Sequence, residues 1–99
     1  MTANGTRVIA SFKARSGRET ELLEVLTELL EPTRAEPGCR LYELWRNRED
    51  AAELTFVEEW SSDEALAAHA KSEHIARARS RYPELIAEEV DLRLYDLAG

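Results

Sequence analysis

The sequence predicts one α+β domain in which helices cover one face of an antiparallel sheet. Ninety-nine residues allow a single core and no second one. Short β-branched and aromatic runs alternate with two stretches of helical periodicity. Each helical stretch is opened by a serine with a glutamate three positions on, the pattern of a capping box.

Residues 7–14, with Val8, Ile9 and Phe12, read as the first strand. Ser16-Gly17-Arg18-Glu19 then matches a capping box, in which serine and glutamate each satisfy a free backbone N–H. Behind it Leu22, Val25, Leu26, Leu29 and Leu30 recur at helical spacing and form an apolar face. Pro32 and Glu36-Pro37-Gly38 stop that helix. Two strands, residues 39–47 and 53–60, flank a polar hairpin loop at 48–52 that lacks the Asn-Gly of a tight turn. Ser61-Ser62-Asp63-Glu64 is the second capping box and opens a helix through about residue 70. Ser72 re-caps a continuation through about residue 81, with Ile75 and Ala78 on its apolar side, and Tyr82-Pro83 breaks it. Residues 88–97, through Val90, Leu92 and Leu94, read as the last strand. The order βαββαβ is the ferredoxin-like pattern.

A sheet buried on one face alternates apolar and polar residues. These strands do not. Leu41 and Trp45 have one parity and Tyr42 and Leu44 the other; Leu54, Phe56 and Trp60 oppose Thr55 and Val57; Val90, Leu92 and Leu94 oppose Tyr95 and Leu97. Two helices cover one face only, so the other is expected to pack on an identical copy, giving a homodimer.

A formal charge of −7 argues against nucleic acid and anionic membrane as partners, because both require a positive patch. Cys39 is the only cysteine, so no intramolecular disulfide and no CxxC pair exists. Residues 1–6 lack the charged start and apolar run of a signal peptide. No apolar run approaches the ~20 residues that cross a bilayer, and a cytoplasmic location is expected.

The Glu36-Pro37-Gly38 turn, Glu58-x-Trp60, the helix start at Ser61 to Glu64, His69 and Ser72-x-His74 follow one another in a characteristic order and spacing. With the strands around them they span Val8 to about Tyr95, and together they resemble the antibiotic biosynthesis monooxygenase family. The resemblance implies a dimeric α+β barrel with a pocket in each subunit between sheet and helices. Family members include cofactor-independent oxygenases of polycyclic phenols or quinols, haem-degrading proteins, and proteins that process a small dione-type signal. The haem-degrading pattern has asparagine in the first strand and tryptophan and histidine on the second-half helix. Ala10, His69 and Arg79 stand there, so haem degradation is disfavoured.

His69 lies three residues after Leu66 and so faces the sheet. It is either a general base able to take a phenolic proton without metal or flavin, or a satisfied core histidine. His74 lines the pocket mouth, caps a helix end or faces solvent. Histidines five apart do not align on one helix face, and no carboxylate cluster completes a ligand set, so no metal centre is expected. Glu58, between Phe56 and Trp60, needs a partner if buried. Arg79 and His69 are the candidates, one giving a structural ion pair and the other an oriented base. Trp60, Tyr42 and Phe56 offer flat walls for an aromatic substrate, or are plain core. The Cys39 thiol reads as a spectator. With no phosphate loop, GxSxG or dinucleotide fingerprint, no cofactor is expected.

The expected activity is therefore cofactor-independent oxidation of a phenol or quinol to a quinone. His69 and Glu58 would be catalytic, and Trp60, Tyr42, Phe56, His74 and Arg79 would bind substrate. The alternatives are a non-catalytic ligand-binding or stress-response dimer and an isomerase of a small hydroxy-dione.

Overall fold

A computed structural model describes residues 5–99; residues 1–4 of the segment tested for a signal peptide lie outside it. The chain runs β1 (Thr6–Lys13), α1 (Glu19–Thr27), α2 (Leu30–Arg34), β2 (Cys39–Asn47), β3 (Asp50–Trp60), α3 (Asp63–Ala70), α4 (Glu73–Leu85) and β4 (Asp91–Tyr95). The four strands form one antiparallel sheet in the order β2-β3-β1-β4. This is the ferredoxin-like α+β arrangement read from the sequence, with the first expected helix divided into α1 and α2 and the second re-capped at Ser72 as expected.

The division of the first helix, and several element ends, correct the sequence reading. Ser16 caps nothing: α1 begins at Glu19 after Arg18, with no side-chain cap. Gly17, at φ +85°, turns the chain there, and the Arg18 N–H bonds to the Arg15 carbonyl. Pro32 does not stop a helix but lies in the first turn of α2, where its missing N–H has no partner to lose. The cap of α3 is Ser62, which accepts from the Ala65 N–H at 3.1 Å, and not Ser61, whose own N–H bonds to the Gly38 carbonyl. Helix α4 continues through Pro83 to Leu85. That last turn holds fully buried Leu85, while Tyr82 packs edge-on against Phe12 at 5.2 Å.

The β2–β3 hairpin is tighter than its composition suggests. Asn47 pairs with Asp50, so strand β3 begins three residues early and only Arg48 and Glu49 turn. A register shift between Arg46 and Asn47, with Asn47 Oδ1 accepting from the Glu49 N–H, supplies the bend without a positive-φ residue. Strand β4 is shorter than expected, Asp91–Tyr95 only.

Val8, Ala10 and Phe12 of β1, Leu54, Phe56 and Trp60 of β3 and Tyr42 of β2 form the helix side of the core, under Leu22, Leu26 and Ile75. Complete burial of Leu22 and Leu26 contributes about 1.5–3 kcal/mol each. Leu92 and Leu94 pair with Ala10 and Val8 and so share this face, yet they are 58% and 52% exposed. Both also line the cavity described below, so the inner face is open along the β4 edge. The outer face is mixed: Ile9 and Val57 are half-buried, Trp45 and Tyr95 are exposed, and the Arg7–Glu59 ion pair and the Ser11–Thr55 hydroxyl pair lie among them.

Candidate active site

The site is assembled by two turns. Gly38, at φ +86°, packs so closely that a Cβ would stand 2.6 Å from Ala65 Cβ and 2.7 Å from Ser61 Oγ. This contact, with the Ser61 N–H···O Gly38 bond at 2.8 Å, fastens the 36–38 turn to the start of α3. Glu36 is thereby set beside the far end of that helix. There the chain breaks: Ser72 Oγ donates to the His69 carbonyl at 2.8 Å and accepts from the Ile75 N–H, opening α4.

The break changes what a spacing of five means. On one continuous helix His69 and His74 would point about 140° apart. With α3 and α4 meeting between them, their rings stand 6.1 Å apart and converge on one atom. His69 Nδ1 donates to Glu36 Oε2 at 2.8 Å, and His74 Nε2 donates to the same oxygen at 2.7 Å. The carboxylate that the sequence did not place near the histidines comes from the turn. Because that oxygen accepts from Nδ1–H, the free lone pair of a neutral His69 is on Nε2. Burial pushes the His69 pKa below its usual 6.5, against the raising effect of Glu36, so the ring is held neutral at pH 7.

Glu58 does not orient His69 and does not pair with Arg79, contrary to both sequence options. Its Oε1 accepts from Trp60 Nε1–H at 2.9 Å, across the two-residue strand repeat that puts both on the helix side. Among desolvation, the Trp60 bond and repulsion by Glu36, desolvation is largest, and it raises the Glu58 pKa to about 7. Arg79 instead donates to the Ala70 carbonyl at the end of α3. Tyr42 stacks on Phe56 at 4.5 Å, sharing a face that the sequence left open, and meets His69 edge-on at 5.6 Å. Desolvation drives the Tyr42 phenol far above its ordinary range and takes that of Tyr82 to about 12, so neither is a base near neutrality. Burial likewise raises the half-buried Cys39 thiol, followed by Glu36 and Glu58, as fits an inert cysteine.

A cavity of about 670 Å³ lies between the sheet and α3–α4 and opens beside Leu92 and Leu94. Phe12, Tyr42, Phe56, Leu66, Ile75 and Tyr82 give it apolar walls, and Glu58, His69 and Arg79 supply polar groups. Trp60 is fully buried and not part of that wall; it lies behind, its ring 4.6 Å from the His69 ring and its N–H on Glu58. His74 is also outside the cavity and lines an outer cleft with Pro32, Arg77 and Arg81. Sequence reasoning missed Glu36 as a site residue. Its only signal was the adjacent Pro37-Gly38, which announces a turn but not what the turn touches.

The structure is thus an α+β domain in which helices roof one face of a sheet and enclose an apolar cavity with a carboxylate-held histidine on its wall. The chain belongs to the antibiotic biosynthesis monooxygenase family, whose model matches residues 6–81. It is 37% identical over 83 residues to "Putative monooxygenase Rv0793" of Mycobacterium tuberculosis, spanning 84% of this chain and 81% of that one. PA3566 from Pseudomonas aeruginosa has a similar structure, with TM-score 0.92 and 31% identity, covering 99% of both chains. A crystal structure of an antibiotic biosynthesis monooxygenase is similar at TM-score 0.89 and 29% identity, covering 95% of this chain and 99% of that one. No helix among the described residues is long and apolar enough to cross a membrane.

Proposed function

We propose that this chain is a cofactor-independent monooxygenase that converts a phenol or quinol with an oxidisable ring carbon into a quinone. The observation that carries this reading is a neutral imidazole on the wall of an aromatic cavity, with Nδ1 tied to Glu36 and Nε2 left as base. Apolar walls suit an aromatic ring, and the Mycobacterium tuberculosis relative is named "Putative monooxygenase Rv0793".

The chemistry balances without a further reductant. His69 Nε2 takes the hydroxyl proton, and the phenolate passes one electron to dioxygen. The substrate radical and superoxide combine at a ring carbon, forming a carbon–oxygen bond. The peroxide takes up a proton, the ring carbon loses its hydrogen as a proton, and the oxygen–oxygen bond breaks to leave a carbonyl and water. In sum, phenol and dioxygen give quinone and water. Glu58, with a pKa of about 7 and facing the same cavity, is the group to exchange the second proton. Arg79 would bind substrate at the wall, while Trp60 and His74 act from behind it.

Oxygen uptake with simple hydroquinones and tricyclic phenols tests the reading. The wild type should consume oxygen, and His69→Ala should lose at least about a hundredfold in rate, the scale of general-base catalysis. Equal rates would remove His69 from the mechanism. Two acid–base groups on one cavity also suit isomerisation of a small hydroxy-dione, which would proceed under argon where oxygenation stops. The same proposal includes a homodimer through the outer sheet face, where Ile9, Val57, Trp45 and Tyr95 need cover. Light scattering that gives a monomer mass would oppose that part.

A further inference from the structure

We propose that Glu36, His69 and His74 form a binding site for a first-row divalent transition-metal ion of the zinc type. Their three ligand atoms, Glu36 Oε2, His69 Nδ1 and His74 Nε2, lie within 4.8 Å of one another. The oxygen is 2.8 Å from one nitrogen and 2.7 Å from the other. Ligands held about 2.0–2.2 Å from such an ion stand roughly 3.0–3.5 Å apart. Each oxygen–nitrogen pair must therefore open by a few tenths of an ångström, and the two imidazole nitrogens, which lie within 4.8 Å of each other, must swing together onto the ion.

The donors come from three elements that the fold fastens to one another: the turn seated by Gly38 against the start of α3, the last turn of α3, and the first turn of α4, joined to α3 through Ser72. Two imidazoles and one carboxylate are the set that favours zinc, cobalt, nickel or iron over calcium or magnesium, which prefer oxygen alone. All three side chains are largely withdrawn from solvent, which protects the ion from competing water. Ser72 Oγ, 3.2 Å from His74 Nε2, is beside the ligand set and in reach of a metal-bound water.

The site does not depend on the oxygenase reading, but it has a consequence for it. An ion on His69 Nδ1 displaces the proton held toward Glu36, so a neutral ring then carries its proton on Nε2. A metal-loaded protein would therefore lack the base that the oxygenase reading requires, and the ion would act as an inhibitor.

The test is titration of chelator-treated protein with cobalt(II), followed by its visible ligand-field absorption, with zinc as competitor. The expected result is one saturable equivalent per chain, displaced by zinc, and a melting temperature that rises with zinc concentration. Glu36→Gln and His74→Ala should each weaken cobalt binding by at least about tenfold. Melting without metal shows whether each variant is folded, and the near-isosteric Glu36→Gln serves if His74→Ala is not. Absence of a saturable spectrum at cobalt concentrations on the order of 1 mM, far above those that fill a transition-metal site, would overturn the proposal. So would an unchanged spectrum and affinity in a folded variant, which would put the ion elsewhere.

Discussion

Replacing Glu58 with glutamine should make the protein more stable at neutral and alkaline pH and leave it nearly unchanged in acid. Glu58 is only 4% exposed as a residue, and the one hydrogen bond to its carboxyl within the described residues comes from Trp60. Its rise from 4.5 to about 7 corresponds to about 3 kcal/mol, at about 1.36 kcal/mol per pKa unit. The sign follows from proton counting. Between pH 4.5 and about 7 the native state holds a proton that the unfolded chain has released, so stability falls as pH rises through that window. Above it both states are ionised and the whole penalty remains. Glutamine has the same shape, still accepts from Trp60 Nε1 and cannot ionise. Urea unfolding of both proteins at about pH 4 and about pH 8 separates this effect from other titrating groups, which are common to the pair. The difference should grow from near zero to as much as about 3 kcal/mol in favour of glutamine. A difference independent of pH would refute the reasoning.

The His69 imidazole should titrate below 6.5 by NMR, and Glu36→Gln should move its midpoint lower still, because the carboxylate opposes desolvation; an upward move would deny the pairing. Gly38→Ala should lower stability by about 1–3 kcal/mol, since a positive φ and two close contacts must both be accommodated. Thermal melting measures it, and an unchanged midpoint would show that the turn is not fastened to α3. Phe56→Ala should cost about 3–5 kcal/mol by chemical unfolding, because it removes a fully buried ring stacked on Tyr42; a loss below about 1 kcal/mol would mean that the site collapses readily.

Strand and helix periodicity made the architecture legible, because Leu22 and Leu26 or Val8, Ala10 and Phe12 repeat at the spacing of the element that buries them. Element ends were less legible. Ser16 satisfies the capping pattern, but Gly17 redirects the chain before the serine reaches a helical N–H. Pro83 looks like a stop, yet buried Leu85 carries the helix past it. His69 was identifiable because its face follows from Leu66 within one helix. Its partner was not, because Glu36 is 33 positions away and reaches it through the seating of a turn against α3. Glu58 and Trp60 were marked together from strand parity, but their bond to each other depends on side-chain conformation, which periodicity does not encode.

Reaction with heavy-isotope dioxygen, followed by mass analysis of the quinone, tests most directly whether a His69-bearing cavity performs oxygenation. The mechanism predicts that one atom of the labelled gas enters the product carbonyl and the other leaves as water, in wild type and not in His69→Ala. A quinone with no label, or equal labelling in both proteins, would contradict it.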